Sequence, residues 1–334
     1  MKTKISHLFG QMLLATIALS SLSSIASAAE LRIARQTGLP FLPIVIMIDQ
    51  KILEKHAAEQ GIPDLKVEEF SLTGGTSQNE ALLSGSIDIA VSGIPSVIVP
   101  WDRTGGKVIG LAPLSAGPMF LNTSDDKIRS LKDFDGTSKI AVPAPKISIQ
   151  AILLQMASEK EFGDPYRLDP FMVPLNHPEA AAALIGNKTE VKTHFATMPF
   201  HYYEMESKKI HTILSSNDIV GGLQTMSVAF TTTAWYENNK PLYHVFLAAL
   251  DEANEMINKD PEQAAKIYAR VMNWKGGPDE IYRMITDKSV LVYDGIPRRL
   301  FPVIDFMHRI GSIKRQANSW KDLFVPEIHN REGS

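Results

Sequence analysis

Two clusters of small residues stand where short apolar runs end, and small residues let backbone N–H groups come close to a bound molecule. The stretch EEFSLTGGTSQNEALLSGSIDIAVSGIPSV, residues 68–97, carries both clusters: a Gly-Gly-Thr-Ser turn over 74–77 and the pair Ser92 and Gly93. The molecule they approach could be a nucleotide phosphate, a catalytic intermediate or a small solute that is only held. The other chemistry-bearing residues discriminate among these three.

Sequence signatures of catalysis are missing around these turns. The glycines lack the lysine and the spacing of a phosphate-binding G-x-x-x-x-G-K-[ST] loop, and no G-x-G-x-x-G follows the first strand. No H-E-x-x-H occurs, and no G-x-S-x-G surrounds Ser92, Ser96 or Ser115. A hydrolase is therefore disfavoured, because no pair of nucleophile and base stands out.

Three histidines in one half of the chain raise the question of a metal. With an acidic residue, His177, His194 and His201 could ligate an ion, but their spacing matches no structural zinc pattern. The alternative interpretation is structural: His177 caps a helix, and His194 ends a strand where Thr193 and Thr197 satisfy its ring. We therefore predict neither a metal nor a cofactor.

The composition is that of a globular protein. The chain of 334 residues is 44% hydrophobic and 21% charged, which suits two domains with cores of their own. The formal net charge is −3, and no block of like charges forms a basic arm, so nucleic acid is not a predicted partner.

The N-terminus has the layout of a secretory signal peptide. Two lysines precede a short apolar run over 12–19, and the small residues Ala26 and Ala28 stand before the expected cleavage site. The alternative, a membrane anchor, needs a run of about 20 apolar residues. We predict that residues 1–28 are removed. The absence of cysteine in the sequence then fits a soluble periplasmic protein that relies on its core.

Strands and helices alternate along most of the chain, which predicts mostly parallel sheets covered by helices on both faces. The predicted strands cover 31–34, 65–72, 87–93, 107–115, 139–145, 167–175, 191–198 and 209–216. The predicted helices cover 44–61, a short segment with Ser77 as N-cap and Glu80 at capping-box spacing, 147–163, 178–186, an amphipathic stretch over 241–258, and a last one capped by Asp260.

These segments, in this order, resemble the periplasmic substrate-binding proteins of ABC importers in the nitrate/sulfonate/taurine, NMT1/THI5-like group, which includes thiamine-pyrimidine binders. The resemblance rests on LRIARQTGLPFLPIVIMIDQKILEKHA, GGTSQNEALLSGSIDIAVSG, SLKDFDGTSKIAVPAPKISIQAILLQM and the helical C-terminal third. It covers nearly all of residues 30–330.

The resemblance implies the α/β, two-lobed periplasmic-binding-protein fold of type II. Two crossover hinge strands, expected at 119–122 and 227–231, would join the lobes. Lobe one would comprise residues 29–118 plus 228–334, with the helical C-terminal third, and lobe two residues 119–227. The ligand would lie in the cleft between the lobes and be buried when they close.

In such a cleft, helix N-termini present free N–H groups and a partial positive charge to the solute. The turns at 74–77, 92–93 and 146–148 would each open such a helix, and Arg35 would be a candidate for the rim. The predicted ligand-binding residues are Gln36, Thr37, Gly75, Thr76, Ser77, Ser92, Gly93, Ser115, Lys146, Ile147, Ser148, His194, Thr197, Met198 and Phe200.

The lobe-two segment KTHFATMPF departs from the pattern of the group. Relatives often carry Asp-Ala here and then an acidic or aromatic residue before Pro-Phe. This chain has Lys192-Thr193 and Met198 at those positions, so the acid that would bind an ammonium or a pyrimidine amine is missing. His194 and Phe200 add to a wall that is neutral to weakly basic and partly apolar. We therefore predict an anionic solute with an apolar or aromatic body, such as a sulfonate or a carboxylate.

The predicted function is delivery of this solute, by a monomer without catalytic residues, to an ABC permease in the inner membrane. Three alternatives remain: a thiamine-pyrimidine type of binder, a biosynthetic enzyme on the same fold, and a ligand-sensing protein. The enzymes of this group use an active-site histidine with a cysteine-rich segment and are not exported. This chain has no cysteine, which disfavours that alternative.

Overall fold

The computed structural model describes residues 29–334, which form two lobes, each built on a five-stranded sheet. The strands of the first sheet are β1 Glu30–Arg35, β2 Lys66–Ser71, β3 Ile89–Ser92, β4 Val108–Gly117 and β10 Gln224–Thr232. The strands of the second sheet are β5 Phe120–Thr123, β6 Lys139–Val142, β7 Met172–Pro174, β8 Val191–Ala196 and β9 His211–Ser215. We call the two halves lobe one and lobe two.

The two sheets share one topology. The first runs in the order β2-β1-β3-β10-β4, with β1 parallel to β2 and β3, and with β10 antiparallel to β3 and β4. The second runs in the order β7-β6-β8-β5-β9, with β6 parallel to β7 and β8, and with β5 antiparallel to β8 and β9. The predicted fold class, two α/β lobes, is confirmed.

The chain passes between the sheets twice. The first crossing lies between β4 and β5, at residues 118–119, next to the predicted position. The second crossing differs from the prediction at 227–231, since Val228 pairs with both Ser92 and Pro113 in the interior of the first sheet. The chain returns earlier, over residues 221–223 between α8 and β10, and residues 224–227 already belong to the first sheet.

Thirteen α-helices cover the sheets within residues 29–334. In lobe one the early helices are α1 Leu42–Asp49, α2 Ile52–Glu59, α3 Gly74–Leu83 and α4 Pro95–Arg103. Lobe two has α5 Ile149–Phe162, α6 His177–Gly186, α7 Phe200–Met205 and α8 Ser216–Val220. The C-terminal third has α9 Thr233–Asn238, α10 Lys240–Lys259, α11 Pro261–Val271, α12 Gly277–Thr286 and α13 Leu300–Arg309.

Two helix predictions were wrong in detail. The helix predicted over 44–61 is divided into α1 and α2 because Lys51 has a left-handed backbone (φ 53°), which interrupts the helical hydrogen bonds. Ser77 is not an N-cap: α3 begins at Gly74 with Thr73 at the N-cap, and the Ser77 hydroxyl donates to the Thr73 carbonyl at 2.7 Å. The Asp260 cap is confirmed, since its carboxylate accepts from the Gln263 N–H at 3.0 Å.

The apolar stripe predicted in α10 forms part of the core. Its buried face packs α10 against α1, α2 and α11, with Val245, Phe246 and Leu250 fully buried. Burial of apolar area at roughly 25 cal/mol per Å² supplies most of the stability of such a helix. The apolar face of α10 thus packs the C-terminal third against lobe one.

The two lobes touch across the cleft. The Leu39 N–H donates to the Met198 carbonyl at 3.0 Å, which joins the first turn of lobe one to the start of α7. In a second contact, the Arg309 guanidinium of α13 donates to both carboxylate oxygens of Glu159 in α5, at 2.6 and 2.7 Å. These contacts describe lobes that are closed on each other.

The predicted signal peptide, residues 1–28, lies outside the described residues. Across residues 29–334, none of the helices combines the length and the apolar character that crossing a membrane requires.

Candidate functional site

A cleft lies where the carboxyl ends of parallel strands from both sheets face each other. Four helices begin there: α3 and α4 follow β2 and β3 in lobe one, and α5 and α6 follow β6 and β7 in lobe two. Open α/β sheets place their ligands at this edge, because the loops there lead directly into helix N-termini. Four N-termini, two from each lobe, therefore surround one gap.

The gap has a small inner part and a wider mouth. The inner cavity of about 20 Å³ is lined from both lobes, by Gln36 and Ser92 on one side and by Ser148 and Thr197 on the other. That volume holds roughly one water molecule. The mouth, about 220 Å³, is lined by the N-caps of α3 and α6 together with Gln36, Thr37 and His177. An organic solute would therefore enter only if the lobes move apart.

Glycine is needed in lobe one because the two lobes approach so closely. A Cβ on Gly74, whose φ is +75°, would lie 2.9 Å from the Pro143 carbonyl oxygen of lobe two. A Cβ on Gly93 would lie 3.0 Å from two carbon atoms of Ile149. Gly75 serves packing within lobe one, since its Cβ would lie 1.9 Å from the Ser96 hydroxyl oxygen.

Two hydroxyl groups in the inner cavity are available to a ligand. The Ser92 oxygen accepts from the Gln36 side-chain amide at 2.8 Å and from the Ser96 hydroxyl at 3.1 Å, so its own hydrogen is left to donate. The Thr197 hydroxyl is buried and has no hydrogen-bond partner among residues 29–334. Since an unpaired buried hydroxyl is costly, Thr197 is a strong candidate for a ligand contact.

The turn before α5 contributes one lining residue of the three that we predicted. Ser148 is the N-cap of α5, where its hydroxyl accepts from the Ala151 N–H at 3.3 Å, and it lines the inner cavity. Ile147 is partly buried against the α3 turn, near Gly75. Lys146 has a left-handed backbone (φ 83°) and an exposed side chain that lines neither part of the gap.

Behind the cavity, a buried chain of hydrogen bonds crosses lobe two. Glu204 contacts His194 Nδ1 at 2.5 Å, and His194 Nε2 contacts His177 Nδ1 at 2.8 Å. At the cavity, the Gln150 side-chain amide contacts His177 Nε2 at 3.3 Å. At the far end, the Asn122 amide donates to the second oxygen of Glu204 at 2.7 Å. We call Glu204, His194 and His177 the buried relay.

The protons of the relay follow from its ends. A Glu204 carboxylate accepts from His194 Nδ1–H, which leaves His194 Nε2 to accept from His177 Nδ1–H. The His177 Nε2 then accepts from the Gln150 amide. Burial lowers the pKa of His177 well below its usual value of 6.5, with the neighbouring His194 acting in the same direction, so the ring is neutral. The relay thereby holds Gln150 and His177 in one orientation at the cavity wall.

The relay corrects our structural interpretation of the histidines. Asn176, not His177, is the cap of α6, since its side chain accepts from the Glu179 N–H at 2.9 Å. Thr193 does not satisfy the ring of His194; its hydroxyl donates to Thr123 at 3.1 Å. Within the described part of the chain, no three His, Asp or Glu side chains are arranged to hold a metal.

His201 lies beside the relay and is, like His177, a histidine whose pKa burial lowers. Its ring stacks on Phe120 with centroids 3.8 Å apart, and its Nδ1 contacts the Asn122 amide at 3.0 Å. Burial lowers the pKa of His201 to about 4, although the nearby Glu204 charge opposes that shift.

Several predicted residues lie away from the inner cavity. Arg35 is buried and its guanidinium pairs with Glu69, so it does not form the rim. Ser115 lies inside β4, where its hydroxyl contacts Ser227 at 2.8 Å and donates to the Pro40 carbonyl at 2.9 Å. Its role is to hold the turn that carries Pro40.

The remaining predicted residues divide between contacts and neighbouring surfaces. Met198 joins the lobes through its carbonyl group, and Phe200 stacks on His177 with centroids 5.6 Å apart. Thr76 is exposed and Ser77 partly buried on α3, and neither lines the gap.

Sequence reasoning missed most of the apolar wall and two polar groups. The inner cavity is also lined by Pro40, Phe41, Met119, Pro143, Ile149, Gln150, His177 and Met226. Gln150 follows the Ser148 cap by two residues, and Asn176 stands two residues before Pro178 at the start of α6. Both positions are signals of a helix N-terminus that could have been used.

The comparisons with known proteins agree with this architecture. A family model described as NMT1/THI5 like matches residues 58–264. No curated protein matches the chain.

Three solved structures show the shared fold. The alkanesulfonate-binding protein SsuA from Xanthomonas axonopodis pv. citri bound to MOPS is 19% identical, with TM-score 0.66, over 80% of this chain and 87% of that chain. The periplasmic nitrate-binding protein NrtA from Synechocystis PCC 6803 is 14% identical, with TM-score 0.67, over 89% and 85%. The periplasmic aliphatic sulphonate binding protein SsuA from Escherichia coli is 18% identical, with TM-score 0.63, over 90% and 92%. Since the family model matches more than half of the residues of this chain, the chain belongs to the NMT1/THI5-like family, and it has the two-lobed fold of periplasmic binding proteins.

Proposed function

We propose that the protein binds a small anionic organic solute in its cleft and passes it, chemically unchanged, to the permease of an ABC importer in the inner membrane. The observation that carries this proposal is the convergence of four helix N-termini, two from each lobe, on one closed gap. Each N-terminus offers backbone N–H groups and roughly half a positive charge.

The backbone is the source of positive potential at this site. No Lys or Arg from residues 29–334 lines either part of the gap, and Glu179 at the mouth is the single acidic side chain among the described residues that line it. An anion would therefore be held by N–H groups and by the Ser92 and Thr197 hydroxyls. Such donors bind an oxyanion without supplying a base or a nucleophile.

The walls of the inner cavity favour a solute that also has an apolar part. Phe41, Met119, Ile149 and Met226 line it together with two prolines. Methionine adapts to irregular shapes, including rings. The combination supports a sulfonate or a carboxylate on an apolar or aromatic body, and the similar structures named for sulfonate and nitrate binding lend support to an anion.

Closure of the lobes is the proposed mechanism. The open form would bind the solute on one lobe, and the second lobe would then close over it, so that binding energy raises the closed population. The predicted leader at residues 1–28 would place this cycle in the periplasm, with the protein acting as a monomer.

A thermal-shift screen against sulfonates, carboxylates, nitrate and pyrimidines tests the ligand class. A ligand at 100 times its dissociation constant should add about 2.7 kcal/mol to the free energy of unfolding. If no anion shifts the melting temperature, the proposed class is wrong. A pyrimidine that binds would favour the thiamine-pyrimidine alternative, and turnover of any compound would favour an enzyme.

The charge of the site can be tested with two matched variants. Ser148→Asp puts a carboxylate at the N-cap of α5 in the cavity, while Ser215→Asp puts one at the N-cap of α8, away from it. Aspartate caps helices as well as serine does, so both variants should fold. We expect Ser148→Asp to weaken anion binding about tenfold or more, by like-charge repulsion, and Ser215→Asp to leave it unchanged. Equal affinities in the two variants would contradict the proposed anion pocket.

A further inference from the structure

A second and larger cavity lies outside the cleft, where lobe two meets the turn between α11 and α12 of lobe one. Its volume is about 760 Å³. Phe200 and Tyr203 of α7 line it from lobe two, and Trp274 and Glu280 line it from lobe one. The stack of His177 on Phe200 lies between this cavity and the inner cleft. We call it the outer cavity.

Three aromatic rings bound the outer cavity, and the planes of Phe200 and Tyr203 both stand at steep angles to that of Trp274. The Trp274 and Phe200 centroids are 6.0 Å apart with planes at 80°, and the Trp274 and Tyr203 centroids are 6.0 Å apart with planes at 74°. Tyr203 is 44% exposed, which is unusual for a large aromatic side chain. Rings at these distances and angles can all lie within roughly 6 Å of one bound cation.

A buried acidic side chain, Glu280, lies at the wall of the outer cavity. Glu280 is 5% exposed, and its Oε2 accepts from the Trp274 indole N–H at 2.7 Å. Its Oε1 has no hydrogen-bond partner, and no Lys, Arg or His of residues 29–334 forms an ion pair with it. The loop wraps around this group so tightly that a Cβ on Gly276 would lie 1.4 Å from Oε2. A buried carboxylate is costly unless a positive charge compensates it.

A hydrogen bond joins the indole ring of Trp274 to the carboxyl group of Glu280. An indole N–H that donates to a carboxylate makes the indole ring richer in electrons, and cation–π attraction is strongest at tryptophan. Lys275, which is exposed, is the one basic residue among the described residues that line the cavity, and it forms no hydrogen bond or ion pair with Glu280. The outer cavity thus combines aromatic faces with a buried carboxyl group that no basic side chain of residues 29–334 pairs with.

We propose that the outer cavity binds an organic cation, an ammonium group carried on an apolar body. The rings face the cation, and Glu280 supplies the compensating charge from behind Trp274. Because its walls come from both lobes, a bound cation also favours the closed arrangement. This site is distinct from the anion site proposed in the cleft, and its test does not depend on that function.

Choline and its uncharged analogue 3,3-dimethyl-1-butanol provide a direct test, since they share their shape and differ in charge. Calorimetric titration of the full mature chain up to about 50 mM covers a weak site with a dissociation constant near 1 mM. We expect saturable binding of choline that is at least tenfold tighter than binding of the alcohol. No saturation by choline, or equal binding of the two probes, would overturn the proposal.

Variants at the exposed ring locate the site without risk to the fold. Tyr203→Phe keeps an aromatic face and should bind choline as the wild type does, whereas Tyr203→Leu should bind it about three- to thirtyfold more weakly. Glu280→Gln keeps an acceptor for the Trp274 N–H and removes the charge, and it should also weaken binding. Choline affinity that is the same in Tyr203→Leu and Tyr203→Phe would contradict the proposal. The anion screen reports on the cleft independently.

Discussion

One added methyl group at Gly74 should weaken ligand binding by opposing closure of the lobes. In Gly74→Ala, the new Cβ would lie 2.9 Å from the Pro143 carbonyl oxygen, whereas ordinary contact begins near 3.4 Å. Pro143 belongs to lobe two, so this clash exists only while the lobes are closed. The open form has no such contact and should tolerate the methyl group.

The magnitude has two parts that can be separated. Both Gly74 and Gly85 have φ of +75°, and a Cβ on Gly85 would meet nothing within 4 Å. The left-handed backbone should cost each alanine variant about 1–2 kcal/mol of the free energy of unfolding. The clash adds roughly 1–3 kcal/mol to the closed state alone, which corresponds to about 5- to 150-fold in affinity for a ligand that binds the closed form.

Three measurements test this prediction. Urea unfolding should show similar losses in Gly74→Ala and Gly85→Ala, while titration with an anion found in the screen should show weaker binding in Gly74→Ala alone. Small-angle X-ray scattering should also show a larger radius of gyration for Gly74→Ala than for Gly85→Ala. Equal affinity and equal radius in the two variants would refute the closed contact as a determinant of binding.

Two further predictions concern the buried histidines. The pKa of His201 falls from 6.5 to about 4 on folding, so the unfolded chain binds the proton first as pH falls. The contribution of His201 to the free energy of unfolding is therefore full above about pH 6.5. It should decrease by up to about 3 kcal/mol as pH approaches 4. Urea unfolding at several pH values should show this slope and its reduction in His201→Phe, and a slope unchanged by that substitution would contradict the assignment. Glu204→Gln should lower the free energy of unfolding in urea by about 2–4 kcal/mol, because the glutamine NH₂ group would face the N–H donors of His194 or Asn122. A loss below about 1 kcal/mol would show that a carboxylate does not organise the relay.

The fold could be predicted because its signals are local. Alternating apolar runs, helix caps and their order along the chain were sufficient for two α/β lobes, and three of the four helix starts in the cleft followed from small residues at strand ends. At the fourth the helix over 178–186 was predicted, but its cap is Asn176 and not His177. Asparagine is a preferred N-cap residue and histidine is not, so Asn176, two residues before Pro178, was the stronger signal.

Boundaries set by long-range pairing were harder to predict. The run over 224–232 is uniformly suited to a strand, and nothing in it marks where pairing with the first sheet begins. Lys51 likewise carries no mark of a left-handed backbone, because lysine is a good helix former. In both cases tertiary contacts decide what local propensity leaves open.

The electrostatic partners of the site were the least predictable part. Arg35 looked like a rim residue because it stands beside a turn, but its partner Glu69 lies on the adjacent strand β2. The three relay residues span 28 positions of the sequence, with His177 on α6, His194 on β8 and Glu204 on α7. Only the packing of α6 and α7 on β8 brings the relay together, so no spacing rule in the sequence could indicate it.

The most direct test of anion binding between the lobes is a crystal structure of the protein with the anion that raises its melting temperature most. We expect the anionic group between the starts of α4 and α5, with oxygens in hydrogen-bond contact with Ser92, Thr197 or backbone N–H groups of both lobes. An anion that binds outside this gap, or that contacts one lobe only in a closed structure, would contradict the central claim.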